Sequence, residues 1–153
     1  MPTIGVISDT HGPLPAAAAD ALQGVDAILH AGDIGDPMVL TELGWIAPVT
    51  AVRGNNDTEA PLRSLPPVVR TGIAGTRFLM THEPRSIGRR SDAALEDVDV
   101  VVTGHTHRAL VERRGSVLWV NPGSARLPRG GGGPTVAIVE VGDGPARARI
   151  VRL

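Results

Sequence analysis

The sequence predicts an α/β protein with two sheets and flanking helices. Three observations carry this: short apolar runs that stop at polar clusters, helix-like segments alternating with the first three of them, and a C-terminal part that alternates and turns like antiparallel hairpins. "TIGVI", Thr3 to Ile7, is short, β-branched and bounded by Pro2 and "SDTHG", which suits a buried strand. "PLPAAAADALQG" suits a helix with proline early and Gly24 as its stop. "DAILH", Asp26 to His30, is the second strand, "DPMVLTELGWI" the second helix and "PVTAVRG" the third strand. The order β-α-β-α-β implies parallel strands joined by right-handed crossovers. A proline-rich connection, "TEAPLRSLPP", leads to "VVRTGIAGTRFLMTH", a strand-turn-strand, and then to the predicted helix "RSIGRRSDAALEDV". "DVVVTGHTH" is another buried strand, and "RALVERRGSVLWVNPGS" and "PTVAIVEVGDGPARARIVRL" form the hairpins.

The chain has 153 residues, of which 42% are hydrophobic, enough to bury one sizeable core and short enough for one domain spanning 1–153. "RGGGGP" is expected to be a loop, because the segment after it is too short to fold alone. Fifteen basic residues, all arginine, against 16 acidic ones leave a net charge of -1. With aromatics at 2%, this disfavours nucleic acid as a partner and gives no footprint for an anionic membrane. The absence of cysteine excludes thiolate nucleophiles and thiolate metal ligands, so any metal must be held by His, Asp, Glu or Asn. "MPTIGVISDT" lacks a secretory pattern, and a cytoplasmic protein is expected.

The metal-capable residues fall where strands end. Asp9 and His11 follow the first strand, Asp33 the second, and Asn55 and Asp57 the third; His82 follows "TRFLMT", and His105 and His107 follow "DVVVTG". In an open α/β sheet the carboxyl ends of parallel strands lie along one edge, where ligands bind. Each fragment alone is ambiguous, since Asp caps helices and Asn turns chains, but the ordered set converges on one place. His30, inside an apolar strand, reads as a core or supporting histidine. Asp57 reads as a carboxylate that holds backbone or a ligand rather than a metal.

The series Asp9-x-His11, Gly32-Asp33, Gly54-Asn55-x-Asp57, His82 and Gly104-His105-x-His107 resembles the calcineurin-like metallophosphoesterases. "DTHG", "VRGNND", "GHTHRA", "NPGS" and "LPRGG" resemble the YfcE-like phosphodiesterase branch. The resemblance implies a four-layer αββα sandwich with a dinuclear metal centre at the edge of two mixed sheets. It implies that Asp9, His11 and His107 hold one ion, that Asn55, His82 and His105 hold the other, and that Asp33 bridges them. Asp33, Asn55 and His82 then act in catalysis by positioning a hydroxide and the phosphate. Oxygen and imidazole donors suit two divalent ions, with Mn the first expectation and Fe, Zn or Ni compatible. The neutral amide of Asn55 completes a shell without further neutralising the cations, which suits a monoanionic phosphodiester.

The implied activity is metal-dependent hydrolysis of a small or activated phosphodiester. The competing expectations are a non-catalytic protein-binding scaffold similar to the retromer subunit of this fold and, more weakly, a nuclease. A small-molecule partner is expected, and a homodimer is compatible with the sequence. Three features depart from the family pattern or stand outside it. Glu83 and Pro84 follow His82 where glycine is expected, and Asn56 occupies a position where many relatives carry a histidine able to protonate the leaving oxygen. Arg85, Arg89, Arg126 and Arg129 are expected to be solvated rather than phosphate-binding.

Overall fold

The computed structural model describes residues 1–88 and 95–153. Two five-stranded mixed sheets lie face to face. The first contains β1 (Thr3–Ile7), β2 (Ala27–His30), β3 (Val49–Ala51), β9 (Thr135–Glu140) and β10 (Arg147–Arg152), in the order β10-β9-β1-β2-β3. β1, β2 and β3 are parallel, as the β-α-β-α-β pattern predicts, and β9 runs antiparallel to β1. The second contains β4 (Val68–Ile73), β5 (Thr76–Thr81), β6 (Val100–Val102), β7 (Ala109–Arg114) and β8 (Val117–Pro122), in the order β4-β5-β6-β8-β7. Both C-terminal hairpins form, yet they serve different sheets, and β8 also pairs parallel to β6.

Period-2 alternation sorts the strands between three apolar layers. Ile4, Val6, Leu29, Phe78, Met80, Val100, Val102, Val120 and Val139 meet between the sheets. On the outer face of the first sheet, Ile7 and Ile28 pack against α1 (Ala16–Ala21) and α2 (Met38–Gly44) through Ala18, Leu22, Val39 and Leu43. On the outer face of the second, Leu79 and Val101 pack with Ile87 of the single-turn α3 (Arg85–Gly88) and with Val98. Full burial of each such side chain contributes about 1.5–3 kcal/mol. The layers are therefore helix, sheet, sheet, helix, in agreement with the αββα expectation.

The helices are shorter than the sequence suggests. α1 keeps six residues of "PLPAAAADALQG", because Pro15 holds the entry extended and no side chain caps the first turn. The proline-rich connection contains a short 3-10 helix, Leu62–Ser64. Residues 89–94 of the predicted "RSIGRRSDAALEDV" helix, including Arg89, lie outside the described residues. No helix among the described residues is long and apolar enough to cross a membrane. β1, β2, β3, β5 and β6 all end at one edge of the two sheets, and there the polar loops meet.

Candidate metal centre

The loops that leave β1 and β2 continue side by side beyond the sheet. Asp9 N–H donates to Gly32 O at 3.0 Å and His11 N–H to Asp33 O at 3.0 Å. Within these loops Asp9, His11 and Asp33 adopt left-handed backbone, with φ of 55°, 48° and 54°, and His105 and His107 do the same at 71° and 57°. Asp and His tolerate this region better than most residues, yet each instance costs about 1–3 kcal/mol and persists only where the surroundings enforce it. The enforcement is close packing. A Cβ on Gly54 would overlap the Asp33 carboxylate, and one on Gly104 would overlap Ser8 Oγ, so only glycine lets these loops approach so closely.

The side chains converge from these loops. Asp9 Oδ1 lies 3.1 Å from His107 Nε2, 3.6 Å from His11 Nε2 and 3.9 Å from His82 Nε2. Asp33 Oδ2 lies 3.4 Å from His82 Nε2 and 3.5 Å from His11 Nε2, and the Nε2 atoms of His11 and His107 are 3.2 Å apart. Two candidate ligand sets result, Asp9/His11/His107 and Asp9/Asp33/His82, so the carboxylate common to both is Asp9, and Asp33 reaches the first set only through its 3.5 Å approach to His11. Asn55 and His105 stand at the exposed rim, joined by a 3.1 Å contact between Oδ1 and Nδ1, with the His105 ring edge-on to His82 at 5.1 Å.

Outer hydrogen bonds fix which atoms face inward. His82 Nδ1 donates to Ala31 O at 2.7 Å and His107 Nδ1 to Leu127 O at 2.6 Å. A carbonyl only accepts, so in the neutral rings each Nε2 presents a lone pair to the centre. Asp9 Oδ2 accepts from Ser8 Oγ at 2.5 Å and from His105 N–H at 3.0 Å, leaving Oδ1 for the centre. Asp9 Oδ1 and His82 Nε2 are buried without a hydrogen-bond partner, two acceptors facing one space. Burying such groups unpaired is costly, and a divalent cation between them would satisfy both. The residues therefore fit a metal.

The electrostatics agree. Burial alone would raise the Asp33 carboxyl, but the neighbouring His82 ring and the hydrogen bonds from Asn56 outweigh it and hold the group far below the carboxylate range. Burial alone would lower His82, and the neighbouring Asp33 and Asp9 carboxylates raise it instead. The carboxylates thus draw a positive charge to this point. A cation bound there would compete with a proton for the same place.

Several expected or unforeseen residues support the centre. Asp57 is buried and accepts from Ile34, Gly35 and Gly54 N–H, tying the second and third loops together as expected of a supporting carboxylate. His30 Nδ1 accepts from Gly32 N–H at 3.1 Å. Thr10 directs its own hydroxyl proton to Ile34 O, so His30 Nε2–H donates to Thr10 Oγ1. Burial, aided by the His82 charge, pushes the His30 pKa down to about 3, and the ring stays neutral in support of the loops. Residue-by-residue reading missed Ser8, Asn121 and Ser124. Asn121 Nδ2 donates to Gly104 O, and Ser124 Oγ donates to Asp9 O at 2.7 Å while accepting from Leu127 N–H. The signal for the last two was "NPGS", legible as part of a resemblance but not as a set of hydrogen bonds.

A sandwich of this topology, with carboxylates and imidazoles gathered at the strand ends, defines a class of metal-binding phosphoesterases. Residues 3–144 match the calcineurin-like phosphoesterase superfamily domain, and the chain belongs to that superfamily. It is 36% identical to a probable metallophosphoesterase of Methanothermobacter thermautotrophicus, over 97% of this chain and 91% of the relative. It is 32% identical to the phosphodiesterase YfcE of Escherichia coli K12, over 81% of this chain and 79% of that one. Among solved structures, a predicted phosphoesterase from Streptococcus pneumoniae superposes with a TM-score of 0.81 at 25% identity, covering 99% of this chain and 89% of that one. Vps29 of Entamoeba histolytica, complexed with zinc, shares the fold with a TM-score of 0.76 at 21% identity, covering 97% and 98%.

Proposed function

We propose that this protein is a metal-dependent phosphodiesterase acting on a small or activated phosphodiester at a two-ion centre. In this reading Asp9, His11 and His107 hold one ion, Asn55, His82 and His105 hold the other, and Asp33 joins them. The observation that carries it is the pair of buried, partnerless acceptors, Asp9 Oδ1 and His82 Nε2, aimed into one space with two further imidazole nitrogens around it. When bound, two divalent ions supply Lewis acidity and a nucleophile at neutral pH. The chain's own part is positional. Ala31 O and Leu127 O fix the imidazole tautomers, Asn56 orients Asp33, and Asn55 sits at the open rim where a substrate arrives. A small diester rather than nucleic acid is supported by the near-neutral charge and the scarcity of aromatics. Mn is the first choice for the ions, and Fe, Zn and Ni suit the same donors.

The test joins metal analysis with a substrate panel. Purified, Mn-supplemented protein is expected to hold two ions per chain and to turn over bis(4-nitrophenyl) phosphate faster than 4-nitrophenyl phosphate. Protein that binds metal yet hydrolyses no aryl diester would replace this reading with a protein-binding scaffold. Preferential cleavage of single-stranded oligonucleotides would replace it with a nuclease.

A further inference from the structure

His107 closes one side of the proposed centre and also lines a separate cleft, of ≈ 360 Å³, between the start of β7 and the loop "RGGGG". That is within the range of about 300–1,000 Å³ typical of small-molecule sites. Arg108 and Arg129 line the cleft, and no carboxylate does. Arg108 Nη1 lies 3.5 Å from where a Cβ on Gly130 would stand, so its guanidinium reaches over the glycine loop, and Arg152 Nη2 lies 4.0 Å from the equivalent point on Gly132. The Arg108 and Arg129 guanidinium groups have no hydrogen-bond or ion-pair partner among the described residues, and the N–H groups of Gly131 and Gly132 have no acceptor there. The loop is not free to drift away from the centre. His107 Nδ1 donates to Leu127 O at 2.6 Å and Arg129 N–H donates to His107 O at 2.9 Å, so the arginine is clamped to the histidine that faces Asp9.

A chain with net charge of -1 has thus placed two guanidinium groups, unpaired among the described residues, in one glycine-lined cleft beside its centre. Guanidinium forks and successive backbone N–H groups are what an oxyanion such as phosphate recognises. The opposite flank differs. The cleft there, ≈ 190 Å³, is lined by Asn55, His82 and Glu83, and the one arginine among its described lining residues, Arg53, donates to Arg63 O.

We propose that the Arg108/Arg129 cleft is an anion subsite, and that the substrate is a phosphodiester carrying a second phosphate on the side away from its leaving group. The reacting phosphoryl lies at the centre, the second phosphate lies against Arg108, Arg129 and the glycine loop, and the leaving group lies on the Glu83 side. The substrate assignment rests on the phosphodiesterase reading; the subsite's own affinity for anions does not.

Two measurements test this. The first compares thymidine 5′-(4-nitrophenyl phosphate) with the same compound bearing a 3′-phosphate, so that the leaving group is constant. Charge-assisted hydrogen bonds of this kind are expected to lower KM for the second compound by about tenfold or more. The double variant Arg108→Ala/Arg129→Ala should lose that advantage while keeping wild-type kcat on bis(4-nitrophenyl) phosphate. Equal KM values in the wild type, or an advantage that survives in the double variant, overturns the subsite. The second measurement is calorimetric binding of inorganic pyrophosphate to metal-stripped protein, which needs no turnover. Wild type should bind about tenfold or more tightly than the double variant. If no diester is hydrolysed the catalytic reading falls, and pyrophosphate binding decides the subsite by itself: indistinguishable affinities, or no binding to wild type, overturn it.

Discussion

Asn56 holds Asp33 by both oxygens, its backbone N–H donating to Oδ1 at 2.9 Å and its side-chain amide to Oδ2 at 2.8 Å. The residue that stands where a proton donor is expected is therefore occupied with orienting the carboxylate that faces His82 and His11. Removing the amide in Asn56→Ala keeps the backbone bond, so the fold should hold. Losses of about 10–100-fold in metal affinity are typical when such a supporting partner is removed. Metal titration followed by calorimetry reads this directly. Unchanged affinity would mean that the backbone bond alone suffices.

Protonation of the leaving oxygen gives a second expectation. An amide supplies no proton at neutral pH, and general acid catalysis is typically worth about 10²–10⁴-fold, so turnover should fall steeply as leaving-group pKa rises. Aryl diesters should react well and alkyl diesters poorly. Asn56→His should help the poor leaving groups more than the good ones. A shallow dependence that the substitution leaves untouched would identify another residue as the proton source.

In the proposed centre Asp33→Asn keeps the shape and removes the carboxylate charge that joins the two ions. At least one ion and nearly all activity should be lost. Mass-spectrometric metal content and diester turnover check it, and two ions with normal turnover would refute the bridging role.

The two histidines of "GHTH" should control different ions. His107 Nε2 faces Asp9 Oδ1 at 3.1 Å, whereas His105 contacts Asn55 at the rim. His107→Ala should weaken the ion near Asp9 and His11, and His105→Ala the ion near Asn55 and His82. Anomalous scattering from crystals of each variant locates the surviving ion. Loss of the same ion from both would rule out the division.

His30 gives the metal-free fold an acid limit. Its pKa of about 3 in the folded chain lies below the ordinary 6.5, so between those values the unfolded chain binds a proton that the folded chain refuses. Stability from this group is complete above pH 6.5 and is lost as pH falls towards 3, by up to about 1.4 kcal/mol per pH unit. Melting of metal-stripped protein should show His30→Gln less stable at pH 8, where Gly32 N–H and Thr10 lose their partner, but less sensitive to acid. Parallel curves for the two proteins would refute the assignment.

The candidate ligands were legible because they interrupt apolar strands: a buried run such as "DVVVTG" that ends in "HTH" has no reason in packing to do so. Local pattern also placed β1, β2 and β3 and made them parallel. What it did not reach is long-range. That β8 lies between β6 and β7, and that β9 returns to β1, depends on pairing between distant segments that no local period encodes. The same holds for the atoms that aim the ligands. Ala31 O, Leu127 O and Ser124 Oγ lie 51, 20 and 115 residues from the groups they bind, and backbone carbonyls leave no mark in a sequence.

The left-handed residues set function against durability. At Asp9, His11, His105 and His107 the backbone geometry is one that glycine adopts at no steric cost, so a glycine there would relieve local tension while deleting a ligand. In the proposed centre, the substitutions that ease the backbone at these four positions are therefore the ones that weaken its hold on metal.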